Sequence, residues 1–137
     1  MRLKAYIIED NAATRTNLID TLEELACIDA IGIAETESEA KTWLLENPNK
    51  WDIAIIDLFL KQGSGLGVLS ACSSRTASQK IVVLTNYATP EIRRRCKELG
   101  VDEVFDKSHE IEALVTYCKD RFGGFDPRTA GWKRLGT

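Results

Sequence analysis

Apolar and polar positions alternate along this chain in short blocks, and the blocks predict five strands separated by helices. Four apolar runs each end in polar residues: Tyr6-Ile7-Ile8 before Glu9-Asp10, Ile53-Ala54-Ile55-Ile56 before Asp57, Ile81-Val82-Val83-Leu84 before Thr85, and Val104-Phe105 before Asp106-Lys107. One more strand is predicted at Ala30–Ala34, the second in chain order. Continuous apolar runs of this length are typical of strands that are buried on both faces of a parallel sheet.

Between the predicted strands, apolar residues recur at helical spacing, and capping residues mark where helices begin. Asn11 is predicted to cap the first helix, Thr89 with Pro90 the fourth, and Ser108 the last. The helix positions predicted to face the core are Leu18, Leu22, Leu25, Ala40, Trp43, Leu44, Val68, Leu69, Cys72, Ile92, Cys96, Leu99, Ile111, Leu114, Val115, Cys118 and Phe122.

The alternation of strands and helices determines the fold class. Parallel strands need crossover connections of one hand, so the pattern predicts an α/β fold with a doubly wound, five-stranded parallel sheet and five helices. One folded domain is predicted over residues 1–122. From Gly123-Gly124 onward the periodicity stops, and residues 123–137 are interpreted as a tail or the start of a linker.

Composition limits the classes of function. A chain of 137 residues with 44% hydrophobic content can bury one substantial core. Its formal net charge of −3 gives no basic surface for nucleic acid, so we expect no direct nucleic-acid binding. No apolar run is long enough to cross a bilayer, and the default expectation is a cytoplasmic protein without membrane contact. The four cysteines are far apart in sequence, which favours reduced thiols over a disulfide or a zinc site.

The polar strand ends supply the candidate chemistry. In open α/β sheets the ligand site lies beyond the carboxyl ends of the strands, so Glu9, Asp10 and Asp57 should meet Thr85 and Lys107 at one edge. Carboxylate oxygens suit Mg²⁺, and an ionised acid beside such a metal can accept a phosphoryl group. We predict Asp57 as the acceptor and, with Asp10, as a direct metal ligand. Glu9 would bind the metal directly or through water.

Each of these residues also has a purely structural explanation. Acids after strands commonly cap helices or turns, and a lysine such as Lys107 is usually a solvated charge. An apolar run ending in Asp57 also resembles the magnesium-holding acid of nucleotide hydrolases, but the chain lacks the glycine-rich loop with Lys-Ser or Lys-Thr. Four polar strand ends in this order are improbable as independent caps, which favours a functional site.

In this order the residues resemble the receiver domains of bacterial two-component response regulators. The resemblance covers about Leu3 to Phe122 and rests on Glu9-Asp10, Asp57, Thr85-Asn86 and Asp106-Lys107. It implies a flavodoxin-like (CheY-like) receiver domain over residues 1–122. It further implies that Asp57 takes a phosphoryl group, with Mg²⁺ required, from a phosphohistidine on a sensor histidine kinase or a phosphotransfer protein.

The resemblance also assigns a role to each site residue. Glu9 and Asp10 match the metal-binding acidic pair, Thr85 the switch hydroxyl, Lys107 the phosphate-contacting lysine, and the main-chain carbonyl of Phe59 the remaining protein ligand of the metal. Such a domain is not an enzyme beyond catalysing its own phosphorylation and slow dephosphorylation. Its output would lie in a downstream protein or in an output domain absent from this chain. Whether the domain forms a homodimer stays an open question.

Two departures from the family pattern keep other functions open. Ser108 follows Lys107, where family members usually have proline, and Val104 stands where the switch aromatic is expected, with Tyr87 and Phe105 as the nearby rings. One alternative is therefore a binding module of the same fold that is not phosphorylated. A third class is an aspartyl phosphatase, which would need a second Asp two positions beyond its nucleophile at the first strand end, and Asn11-Ala12 follow Asp10 instead.

Two bulky rings bear on the lifetime of a phosphorylated state. Phe59 and Tyr87 lie two residues beyond Asp57 and Thr85. In the family that the chain resembles, these positions shape the access of water to the acyl phosphate. The resemblance therefore implies slow loss of the phosphoryl group.

Overall fold

The structure is a computed structural model that describes residues 2–72 and 74–121. The strands are β1 (Leu3–Ile8), β2 (Ile28–Ala34), β3 (Ile53–Ile56), β4 (Lys80–Thr85) and β5 (Glu103–Asp106). The helices are α1 (Ala12–Leu25), α2 (Glu37–Glu46), α3 (Gly65–Val68), α4 (Pro90–Glu98) and α5 (Ile111–Arg121), and a 3-10 turn at Leu69–Cys72 continues α3. The predicted tail, 123–137, and the predicted core residue Phe122 lie outside the described residues.

The sheet has the parallel, doubly wound topology that the sequence predicts. Its strand order is β2-β1-β3-β4-β5, and every neighbouring pair is parallel. The chain moves outward from β1 to β2 and then returns to β3 on the other side of β1. This reversal makes a crevice between the carboxyl ends of β1 and β3, the usual ligand position in such sheets.

Helices cover both faces of the sheet, and each face has its own buried cluster. One cluster joins the sheet to α1 and α5; its members include Ile7, Leu18, Leu22, Ile55, Leu84, Phe105, Leu114 and Cys118. The other joins the sheet to α2, α3 and α4; its members include Tyr6, Ile8, Leu44, Ile56, Val68, Val83, Cys96 and Val104. The central strands β1, β3 and β4 are therefore buried on both sides, which explains their largely apolar sequences, whereas the edge strand β2 leaves Ile31 and Ile33 exposed.

The predicted caps of α1 and α4 are confirmed. The Asn11 side chain accepts the N–H of Thr14, and the Thr89 side chain accepts the N–H of Ile92. The predicted cap of the last helix is wrong, because α5 begins at Ile111. Ser108 instead lies in a turn in which Asp106 Oδ1 accepts the Ser108 N–H at 2.7 Å.

Two residues predicted to face the core are exposed. Leu25 is 49% exposed because the buried stripe of α1 continues at i+4 spacing from Leu22 to Ala26 instead. Leu99 is 47% exposed because it caps the end of α4, where the chain turns through Gly100. Both errors fall at helix ends, where the periodic pattern no longer determines which way a side chain points.

The cysteines carry no disulfide, as the sequence predicts. All four thiols are free, and Cys72, Cys96 and Cys118 are buried. Burial raises the pKa of the Cys118 thiol to about 12, so this group stays protonated at neutral pH. Within the described residues, no helix is both long enough and apolar enough to cross a membrane.

Cys27 gives a test of the backbone geometry between α1 and β2. Its φ is 55°, a left-handed conformation that is costly for a residue with a Cβ, and its side chain is exposed. We expect Cys27→Gly to raise the free energy of unfolding by about 0.5–1 kcal/mol, because glycine adopts this conformation without strain. Urea denaturation measures the change. Cys27→Ala is the matched control and should give no gain; an equal gain in both variants would contradict the strain.

Candidate functional site

The carboxyl ends of β1 and β3 bring three acidic side chains together. The Asp57 N–H donates to the Ile8 carbonyl at 2.9 Å, which aligns the end of β3 with the end of β1. Glu9, Asp10 and Asp57 each place one carboxylate oxygen within 4.8 Å of the others, and Glu9 and Asp57 are buried. These are the acids predicted to converge at this edge.

Lys107 lies across two of the acids. Its Nζ is 2.6 Å from Glu9 Oε1 and 3.1 Å from Asp57 Oδ2, and only 14% of its side chain is exposed. Burial lowers the pKa of Lys107, but the hydrogen bonds and charges of Glu9 and Asp57 outweigh burial and leave that pKa raised. The ammonium group is therefore a permanent positive charge at neutral pH.

Thr85 lies on the strand next to β3 and is completely buried. Its hydroxyl accepts the N–H of Tyr87 at 3.2 Å, and its carbonyl accepts the N–H of Lys107 at 2.8 Å. The second bond ties the end of β4 to the loop that carries the lysine. The hydroxyl still carries its own proton, so it can donate to an acceptor that enters the crevice.

The loop between β3 and α3, residues 58–64, borders the acids from the other side. The Lys61 N–H donates to Asp10 Oδ2 at 2.6 Å, and the Phe59 N–H lies 3.3 Å from Asp57 Oδ1. The carbonyl of Phe59 belongs to this loop, and its role as a metal ligand stays a prediction. Sequence reasoning missed Lys61, because a main-chain donor has no side-chain signature.

Arg15 is a second residue that sequence reasoning missed. Its guanidinium donates to the Glu9 carbonyl at 2.9 Å and to Glu35 Oε2 at 2.8 Å, and 13% of its side chain is exposed. The Glu9 carboxylate in turn accepts the N–H of Asn11 at 3.1 Å. The start of α1 therefore fixes both the backbone and the side chain of Glu9.

Comparison with known proteins identifies the family. The family model of the response regulator receiver domain matches residues 5–119. This chain belongs to that family. A structural relative, the response regulator domain of CheB from Thermotoga maritima, aligns with a TM-score of 0.75 at 17% identity and covers 93% of this chain and 100% of its own. That similarity shows the fold.

Two curated relatives are longer proteins. The virulence transcriptional regulatory protein PhoP of Shigella flexneri is 28% identical over 113 residues, which are 82% of this chain and 49% of PhoP. A cyclic di-GMP phosphodiesterase of Thermotoga maritima is 27% identical over 112 residues, which are 82% of this chain and 29% of that protein. This chain therefore spans half or less of the length of these two relatives.

Aromatic rings lie both beside the acidic site and within the core of this receiver domain. Phe59 and Tyr87 pack edge to face at 4.8 Å beside the acidic site and are about half exposed. Phe105 packs against Tyr117 in the cluster that includes α1 and α5, whereas Val104 belongs to the opposite cluster. Phe59 and Tyr87 are therefore the rings near the site. Phe105 lies on the opposite face from Val104, so it does not replace the aromatic residue expected at position 104.

Ser108 occupies a connecting position. Its hydroxyl is 2.9 Å from Asn86 Oδ1, which links the loop after β5 to the loop after β4. No peptide bond among the described residues is cis, so the bond between Lys107 and Ser108 is trans.

Replacing Lys107 tests the charge balance of the site. We expect Lys107→Met to lower the free energy of unfolding by about 3 kcal/mol in metal-free buffer, because it leaves two buried carboxylates without their cation. The pKa of Lys107 is raised in the fold. Its contribution is therefore complete below a pH of about 10.5 and is lost as the pH rises through the raised value.

Chemical denaturation at a series of pH values measures this effect. Lys119→Met, on the exposed side of α5, is the matched control and should change stability little. Equal stability of the two variants at neutral pH would contradict the proposed balance.

Proposed function

We propose that this receiver domain accepts a phosphoryl group on Asp57 from a phosphohistidine of a sensor histidine kinase or a phosphotransfer protein. The observation that carries the proposal is the convergence of Glu9, Asp10 and Asp57 with Lys107 at the crevice between β1 and β3. Phosphorylation would change the contacts of the domain with a downstream protein or an output domain. The relative PhoP, a transcriptional regulatory protein, supports an output outside this domain.

Asp57 has the environment that an acceptor needs. One of its oxygens meets the Phe59 N–H and the other the ammonium of Lys107, so the carboxylate is held in one orientation. In the transfer, an Asp57 oxygen forms the new P–O bond while the P–N bond of the phosphohistidine breaks. The bonding pair stays on the imidazole, which takes a proton from solvent. Lys107 and the Thr85 hydroxyl would then contact the transferred oxygens.

The donor set fits a divalent metal. The three carboxylates and one ammonium leave two formal negative charges in a partly buried site, and carboxylate oxygens are what Mg²⁺ prefers. Glu9, Asp10, Asp57 and the carbonyl of Phe59 are the proposed ligands. When bound, Mg²⁺ would neutralise the phosphoryl oxygens during transfer.

A receiver-like binding module that is not phosphorylated is the second candidate. Val104 supplies no ring at the switch position, and Phe105 points to the other face of the sheet, so part of the usual coupling is absent. An aspartyl phosphatase is less well supported, because Asp10 lies next to Asn11, the cap of α1, and no second Asp lies two positions on. We propose that the domain has no enzymatic activity beyond its own phosphorylation and slow dephosphorylation.

We also propose the setting in which the domain acts. Four free thiols favour a reducing compartment, which supports a cytoplasmic location. The proposed receiver spans residues 1–122, and residues 123–137 would be a tail or the start of a linker. The net charge of −3 supports protein partners over direct nucleic-acid contact.

Phosphorylation of Asp57 can be tested with acetyl phosphate and read by intact mass. We expect the wild type to gain one phosphoryl group with Mg²⁺ and none with a chelator, and Asp57→Ala to gain none, because it lacks the acceptor oxygen. Asp20→Ala, on the exposed side of α1, is the matched control and should be phosphorylated normally. A folded wild type that gains nothing would favour the binding module, and steady turnover of phosphate esters would favour the enzyme.

The Phe59 and Tyr87 rings are predicted to prolong the phosphorylated state. They pack together beside Asp57, where they would limit the approach of water to the acyl phosphate. We expect Phe59→Ala and Tyr87→Ala to shorten its lifetime severalfold, measured as loss of the added mass after the phosphodonor is removed. Tyr87→Phe keeps the ring and should leave the lifetime unchanged. A wild-type lifetime of seconds would contradict this shielding.

A further inference from the structure

The loop of residues 58–64 has two sides, and the side away from the acids is held by α2. The loop closes on itself through a bridge between Phe59 and Ser64 and through the Gly65 N–H, which donates to the Leu58 carbonyl at 2.9 Å. Opposite the acids, Gln62 pairs with Thr36, the cap of α2. The bridge and this hydrogen bond link the two sides of the loop, so a contact on one side helps to fix the position of the other.

Glu37, the first residue of α2, makes the main contact with this far side. Its Oε1 accepts the Ser64 N–H at 2.9 Å, and its own N–H donates to the Gln62 carbonyl at 3.1 Å. The Ser64 N–H is the main reason that the pKa of Glu37 is lowered, although burial opposes it. A charged acceptor makes a stronger hydrogen bond to a main-chain N–H than a neutral one.

The space around the Glu37 carboxylate is made by two glycines. A Cβ on Gly67 would overlap both carboxylate oxygens of Glu37, and a Cβ on Gly63 would overlap the Glu37 side chain as well. Gly63 also has a φ of 84°, which favours glycine. The sequence therefore leaves room at both positions for an acid that reaches the loop.

The near side of the same loop meets the acidic site. The Lys61 N–H is 2.6 Å from Asp10 Oδ2, and the Phe59 N–H is 3.3 Å from Asp57 Oδ1. Two of the three acids thus take a hydrogen bond from the loop that Glu37 anchors. Glu37 contacts the loop on the side away from the acids, so any influence of Glu37 on the acids must pass through the loop.

We propose that Glu37 is a positioning residue for the metal-binding acids. By fixing Ser64, it fixes the loop whose N–H groups orient the carboxylates of Asp10 and Asp57 before a metal arrives. Orientation in advance strengthens binding, because less conformational entropy is lost when the ion is bound. This inference rests on the proposed function, because it takes those acids as metal ligands.

Isothermal titration calorimetry with Mg²⁺ as the only ligand tests the proposal without any phosphodonor. We expect Glu37→Ala to weaken Mg²⁺ binding about 10-fold. Glu37→Gln should restore most of the affinity, because its amide oxygen can still accept the Ser64 N–H. Lys41→Ala removes only the 3.4 Å ion pair with Glu37 and should bind Mg²⁺ as the wild type does.

Asp52→Ala separates positioning from general stability. Asp52 also accepts a main-chain N–H, that of Lys4 at 2.8 Å, but at the start of β3, the opposite end from the acids. We expect Asp52→Ala to lower the melting temperature and leave the Mg²⁺ affinity unchanged. A loss of affinity in Asp52→Ala equal to that in Glu37→Ala would mean that lost stability alone weakens the site, and would overturn the proposal.

Gly67→Ala tests the same contact without changing Glu37 itself. The added methyl group would displace the Glu37 carboxylate, so Mg²⁺ affinity should fall in the wild-type background and fall no further in Glu37→Ala. Unchanged affinity in both single variants, with a wild type that binds Mg²⁺, would overturn this inference alone. A wild type that binds no Mg²⁺ would overturn the proposed function and this inference with it.

Discussion

The main constraint on this structure is that three carboxylates lie close together at one edge of the sheet and their repulsion must be compensated. Parallel pairing of β1 with β3 forces Glu9, Asp10 and Asp57 into one crevice, and two of them are buried. Buried carboxylates are unfavourable unless hydrogen bonds and opposite charges compensate them. The groups around the crevice supply that compensation, and the ammonium of Lys107 contributes the opposite charge by contacting both buried acids.

Main-chain N–H groups also compensate the acids, and each acid accepts one of them. Glu9 accepts the N–H of Asn11, Asp10 that of Lys61, and Asp57 that of Phe59. Each acid keeps oxygen lone pairs beyond this main-chain donor, even where Glu9 and Asp57 also accept from Lys107, because a carboxylate has about four acceptor sites. The acids are thus oriented by the backbone while they retain the capacity to bind an ion or a phosphoryl group.

The sequence predicts the parts of this arrangement that follow from periodicity and topology. Apolar runs locate the strands, and the parallel connections alone imply that Asp57 meets Glu9 and Asp10 at one edge. Local rules fail at helix ends: Leu25 and Leu99 are exposed and Ser108 caps no helix, because the turns there depend on neighbouring elements. The contact of Glu37 with Ser64 joins residues 27 positions apart, and no pattern in the sequence indicates which loop packs against α2.

Polar bonds as well as apolar packing connect the end of β5 with α4. Arg93 of α4 donates to the Val104 carbonyl at 2.8 Å and to Glu110 Oε1 at 2.7 Å, and the same Glu110 oxygen accepts the Asp106 N–H. Asp106 directly precedes Lys107, whose ammonium contacts Asp57. These bonds therefore link the residue next to Lys107 to α4. Hydrogen bonds are directional, so this set of bonds fixes the orientation of α4 relative to the loop that carries Lys107.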